Sequence, residues 1–107
     1  MAMQTKERPV PNGVVLEMTG DLTYANREQF KTAVEAIRQK GCRHLILNMA
    51  DVRFVDSSGL GALVEAYTTV TREGGTLKLA NVTRKLQDLL SITKLLTVFE
   101  TFDSEDE

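Results

Sequence analysis

A chain of 107 residues with 42% apolar content can bury one globular core and not two. Its formal net charge is −2 and its Lys and Arg are spread along the chain, which argues against a nucleic-acid binder, where basic residues gather on one face. One cysteine, Cys42, excludes an internal disulfide and a cysteine metal cluster, and no apolar run approaches the ~18–20 residues that cross a bilayer.

Met1 to Pro11 is polar and lacks the apolar core of a signal peptide, so a cytoplasmic protein is expected. Residues 1–12 read as an N-terminal segment able to add an edge strand, a place that tolerates Pro9 and Pro11. Asn12-Gly13 signals a hairpin turn, with type I′ geometry as the expectation. Val14, Leu16 and Met18 then alternate with Val15, Glu17 and Thr19, which predicts a strand that Gly20-Asp21 ends.

Between Ala25 and Lys40 the period changes. Phe30, Ala33, Val34 and Ile37 share one helical stripe, and Glu28, Lys31, Glu35, Arg38 and Gln39 fill the opposite face. Thr23 or Asn26 is the expected N-cap, and Asn26 with Gln29 resembles a capping box. Gly41 suits the left-handed position after the helix. Leu45 to Met49 reads as a strand buried on both faces, and Asp51 to Phe54 as a turn or a broken segment. A helix follows from about Ser58 to Glu73, with Leu60, Leu63, Val64, Tyr67 and Val70 inward. Its outward residues, among them Glu65, Thr68, Thr69 and Arg72, are either a contact surface or an ordinary solvated face. Gly74-Gly75 turns the chain into a strand with Leu77 and Leu79 inward. Thr83 caps a shorter helix with Leu86, Leu89 and Leu90 on its core face, and a last short strand is expected near Val98 to Thr101. The acidic tail, residues 103–107, is expected to be disordered. The alternation gives an α/β fold: a small sheet with helices packed on it.

The chemistry concentrates at Asp56-Ser57-Ser58-Gly59, between a strand and a helix. The first turn of a helix offers unpaired N–H groups and the positive end of the macrodipole, which suit an anion. The same residues serve equally as a plain N-cap. A hydroxyl there is open to a kinase, and a phosphate adds a charge of about −1.5 to −2 without requiring the fold to change. A serine nucleophile would need a base, and His44 is the one histidine available, so a small hydrolase is disfavoured. Nothing around His44 has metal-ligand spacing. Gly74-Gly75-Thr76-Leu77-Lys78 precedes a strand, unlike a phosphate loop, which follows one.

The run from His44 to Leu63, with Asp56-Ser57-Ser58-Gly59-Leu60-Gly61 at its centre, resembles the core of a STAS domain, the fold of bacterial anti-sigma factor antagonists. Gly20-Asp21-Leu22 and the segment Gly74 to Val82 with its Leu-rich short helix are similar to the same family, and the resemblance covers residues 13–102. It implies a small STAS-like fold with a mixed four- to five-stranded sheet. It implies partner switching: the unphosphorylated protein binds an anti-sigma factor, itself a serine kinase with a histidine-kinase-like ATPase fold, and frees the sigma factor. Phosphorylation by that kinase ends binding, and a metal-dependent Ser/Thr phosphatase restores it. The family's phosphorylated hydroxyl maps onto Ser57, and the partner-binding residues onto Asp56, Ser58, Gly59 and Leu60, together with Thr23 and Asp21. No enzyme activity, cofactor, metal, nucleic acid or membrane is implied, and the oligomeric state expected is a monomer or weak dimer. In two places the chain departs from the family: Thr23 stands where Asp is common, and Lys94 where Gly is common. The family also contains constitutive STAS subunits of ABC lipid-transport complexes, which are not phosphorylated, and that is the alternative function.

Overall fold

The computed structural model describes residues 3–92 and 100–102, with side chains over 3–90. The element order is β1 (Gln4–Val10), β2 (Gly13–Leu22), α1 (Arg27–Gln39), β3 (His44–Val55), α2 (Ser57–Arg72), β4 (Thr76–Ala80), α3 (Arg84–Ile92) and β5 (Glu100–Phe102). The five strands form one mixed sheet in the order β1-β2-β3-β4-β5, with β1 antiparallel to β2 and the other pairs parallel. The expected α/β class and mixed sheet are therefore what the chain adopts.

Each parallel step moves the same way across the sheet. Right-handed crossovers then place α1 and α2 on one face, and the buried Leu86 and Leu90 bring α3 into the same core. Leu16, Met18, Leu47, Met49, Leu77 and Leu79 supply the sheet's inward face, and Phe30, Val34, Ile37, Leu63 and Val70 the helices'. Each such side chain contributes about 1.5–3 kcal/mol when fully buried. The opposite face is less covered: Glu17, Ile46, Asn48 and Lys78 are only half-buried there, although Val15 and Ala80 on the same face are fully buried. This corrects the reading of Leu45 to Met49 as buried on both faces. Leu45, Leu47 and Met49 are buried, while Ile46 and Asn48 point the other way.

β3 is one twelve-residue strand, without the expected break at Asp51. Its register against β2 slips twice, because β3 spends an extra residue between Asn48 and Asp51 and another between Val52 and Phe54. Inward parity therefore jumps from Leu45, Leu47 and Met49 to Val52, which hides the strand from a period-two reading. β2 likewise does not stop at Gly20-Asp21: it bends there, with Gly20 at φ 106, and continues to Leu22.

Two local expectations change. The hairpin pairs Val10 with Gly13, so Pro11 and Asn12 form its tip. Proline cannot adopt the positive φ that type I′ demands at its first position, and Asn12 at φ 70 takes the second; the turn is of the type II kind. Asn26 sits at the N-cap of α1 but makes no side-chain cap bond. Its Nδ2 instead donates to the Asp21 carbonyl at 2.6 Å, and Gln29 Nε2 donates to the Met3 carbonyl at 2.7 Å, so the capping box is replaced by two ties to β2 and the N-terminal strand. Gly41 at φ 81 and Thr83, whose Oγ1 accepts from Leu86 N at 3.3 Å, take their expected roles. The last strand is Glu100–Phe102; Lys94, Val98 and the acidic tail lie outside the described residues.

Candidate functional site

The C-terminal ends of β2 and β3 meet the mouth of α2, and Asp56 joins all three. Its backbone N–H donates to the Leu22 carbonyl at 3.2 Å, and its own carbonyl accepts from Leu60 N at 2.8 Å, which starts the helix. Oδ1 of the side chain accepts from Gly59 N at 2.8 Å, and Oδ2 accepts from Tyr24 N at 3.1 Å. Asp56 is thus the N-cap of α2 and also a clamp on the loop between β2 and α1. The Gly59 N–H, reinforced by those of Tyr24 and Ser58, holds its carboxyl below the ordinary aspartate range against the cost of partial desolvation.

α2 begins one residue earlier than expected, so Ser57 is its first helical residue. Ser57 is exposed, Asp56 and Ser58 are half-buried, and Gly59 and Leu60 are buried. A β-carbon on Gly59 would lie 2.0 Å from the Leu22 carbonyl oxygen. The glycine is what lets the helix mouth close onto the end of β2. Leu60, at 8% exposure, packs in the core. Gly59 and Leu60 therefore shape the site from beneath, whereas Ser57 presents its surface. Thr23 is half-buried and its carbonyl accepts from Asn26 N at 3.0 Å; Asp21 is half-buried beside Phe54 in the sheet register. The structure thus brings Asp21, Thr23 and Asp56 to Ser58 together at one end of the sheet.

Three neighbours escaped the sequence reading. Tyr24 and Phe54 are 66% and 52% exposed, and Arg27 lies over the Tyr24 ring at 4.6 Å from its centroid. An aromatic residue in a short loop carries no periodic signal, and the β3 bulge disguised Phe54 as part of a turn. On α2, Glu65 is paired with Lys31 of α1 at 3.3 Å, while Thr68 and Arg72 face outward.

His44 is at the far end of β3, with Nδ1 2.9 Å from Thr76 Oγ1. A twelve-residue strand rising about 3.3 Å per residue keeps it on the order of 30 Å from Ser57, too far to act as its base. Among the described residues no three His, Cys, Asp or Glu side chains gather as metal ligands, and no helix is long and apolar enough to cross a membrane.

A family model described as the STAS domain matches residues 2–107. The anti-sigma F factor antagonist of Paenibacillus polymyxa is 26% identical over 93 residues, covering 86% of this chain and 80% of that protein. The anti-sigma-B factor antagonist of Bacillus subtilis is 27% identical over 89 residues, covering 83% and 81%. A crystal structure of a Thermotoga maritima protein, provisionally described as an anti-sigma factor antagonist, superposes with a TM-score of 0.89 at 26% identity, covering 95% of this chain and 88% of that one.

Proposed function

This chain belongs to the STAS domain family, and from that premise we propose that it is an anti-sigma factor antagonist switched by phosphorylation at Ser57. Like the antagonists it resembles, it is a binding protein and not an enzyme. The observation that carries the proposal is the division of labour at the helix mouth. Asp56 has both carboxylate oxygens committed to backbone N–H groups, while the adjacent Ser57 is exposed at the first position of α2.

A phosphoryl group on Ser57 leaves the cap in place and changes the surface. The partner is an anti-sigma factor that is also a serine kinase with a histidine-kinase-like ATPase fold. Ser57 Oγ forms a bond to the γ-phosphorus of ATP and loses its proton, the bond to the bridging oxygen breaks, and ADP leaves. The product carries a charge of about −1.5 to −2 next to Asp56. The helix dipole offsets part of that repulsion, so the fold persists while the docking surface turns negative. A metal-dependent Ser/Thr phosphatase resets it. Asp21, Thr23, Asp56 and Ser58 frame the contact in this reading, with Gly59 and Leu60 shaping it from below. The protein works in the cytoplasm as a monomer or weak dimer, without nucleic acid or membrane.

Titrating the anti-sigma factor kinase into purified protein by calorimetry tests this. Ser57→Ala is expected to keep wild-type affinity and Ser57→Asp to weaken it at least tenfold. Equal affinity of the two variants would refute the switch.

A further inference from the structure

Helices α1 and α2 run in the same direction: Lys31 pairs with Glu65 at 3.3 Å and, farther along both, Arg38 Nε donates to Glu73 Oε1 at 2.8 Å. The offset of 34 between Lys31 and Glu65 sets Arg27 level with Gly61 and Tyr24 level with Ser58. Lys31, Val34 and Arg38 line the cleft between the helices, and Arg27 stands one turn before Lys31 on the same stripe. Across the cleft, the α2 stripe through Glu65 and Ala62 runs back to Ser58, with Gly61 and Ser57 along its outer edge. Two rungs between the helices therefore join a cation to a carboxylate, and the first does not. Among the described residues no carboxylate pairs with Arg27; it is half-buried and its guanidinium lies over the exposed Tyr24 ring, 4.6 Å from the centroid. Helical side chains lean toward the N-terminal turn, which carries the Arg27 guanidinium from the level of Gly61 toward that of Ser57 and Ser58. The bond from Tyr24 N to Asp56 Oδ2, 3.1 Å, holds the ring's loop against the residue before Ser57. Gly61 has no side chain, and a β-carbon there would meet nothing within 4 Å, so the edge of α2 beside Ser57 is clear.

We infer that Arg27 is the counter-ion of a phosphoryl group on Ser57: once the group is in place, the guanidinium leaves the Tyr24 ring and donates to the phosphate oxygens, filling the first rung between α1 and α2. The inference rests on the proposed function and extends it by naming the residue that receives the phosphate. A guanidinium–phosphate pair is charge-assisted and bidentate, so it outweighs a cation–π contact with an exposed ring. The other cations of the cleft are engaged, Lys31 with Glu28 and Glu65, Arg38 with Glu35 and Glu73. The phosphate therefore draws in Arg27 without breaking either set of ion pairs. One guanidinium cancels only part of the phosphate's charge, so the surface still turns negative. Phosphorylation then alters the docking surface twice, adding charge at the helix mouth and baring the Tyr24 ring.

Phosphorus NMR titration tests this, using the full chain with phosphoserine incorporated at position 57 during translation. The second ionisation of phosphoserine, ordinarily near pH 6, is expected about 0.5 pH lower in wild type than in Arg27→Gln at low salt. The gap is expected to close at high salt, and Arg27→Lys to fall between the two. The other charged groups around position 57 are the same in all three chains: Asp56 beside it, Asp21 and Arg53 at the ends of β2 and β3, and Lys31 with its partners Glu28 and Glu65. The Tyr24 ring protons give a second readout that needs no variant: on phosphorylation of the wild type their signals are expected to move as the cation leaves the ring. Equal ionisation midpoints in wild type and Arg27→Gln would overturn the pairing, and Tyr24 signals unmoved by the phosphate would overturn the departure from the ring; either leaves the switch at Ser57 standing. Partner binding indifferent to the phosphate would remove the switch and leave the pairing, because the phosphoserine is supplied without the kinase.

Discussion

Asp56 shows how one side chain does two jobs. As an N-cap it satisfies Gly59 N, and as a clamp it satisfies Tyr24 N, so two segments distant in sequence depend on one carboxylate. Its pKa is depressed in the folded state, so it contributes stability above the ordinary aspartate range, and that contribution is lost as pH falls through the folded value. Asp56→Asn keeps one acceptor but presents an amide where Tyr24 N needs a lone pair. Thermal melts from neutral to acid are therefore expected to show wild type above Asp56→Asn at pH 7, with the gap closing below about pH 4. A gap independent of pH would mean the charge is irrelevant to the clamp. The motif residues were readable in the sequence because Asp, Ser and Gly have strong positional preferences at a helix start. Tyr24 was not, since its role as backbone donor to Asp56 depends on no property of its side chain.

In α2 two nearby glycines have opposite meanings. Gly59 is pressed against the Leu22 carbonyl, whereas a β-carbon on Gly61 would meet nothing within 4 Å. Gly59→Ala must push backbone against backbone and is expected to cost about 3 kcal/mol. Gly61→Ala removes helix-weakening flexibility from an exposed position and is expected to stabilise by about 1 kcal/mol. Urea unfolding of the two variants checks this, and a similar shift in both would contradict the packing described. Helix α1 was readable from its stripe, with Phe30, Val34 and Ile37 buried as expected. For β3 the period-two rule failed, because two extra residues at its bulges change which side chains face inward. α2 buries a wider face than its leucines indicate: Ala62 and Ala66 are buried as well as Leu63 and Val70, with Ala62, Ala66 and α1 residues such as Val34 bordering one cleft.

Across the whole molecule, polarity follows strand direction. β2, β3 and β4 are parallel, so their C-terminal ends share one pole, and β5 ends there too. That pole gathers Asp21, Thr23, Phe54, Asp56 and Ser57, while Cys42 and His44 sit at the other end of β3. Strand–helix alternation was enough to predict a sheet with helices on it. It could not tell that the helices gather on one face, which depends on every parallel step moving in the same direction. Ion pairs lock the helix layer on its outer side: Lys31 joins Glu28 and Glu65, and Arg38 joins Glu35 and Glu73. The Arg38 guanidinium holds the Glu73 carboxyl below its usual range, and Lys31 is raised chiefly by its bond to Glu65. Of these, Lys31–Glu65 and Arg38–Glu73 join α1 to α2 and its C-cap without a titratable histidine, so the contact is expected to be insensitive to pH near neutrality.

The most direct measurement is the intact mass of the protein from its native cells, in growth and in stress, with site mapping. A fraction carrying one phosphate, on Ser57, that changes between the two conditions is expected. A protein without phosphate in both, purifying at fixed stoichiometry with an ABC ATPase, would contradict the switch and identify a constitutive subunit instead.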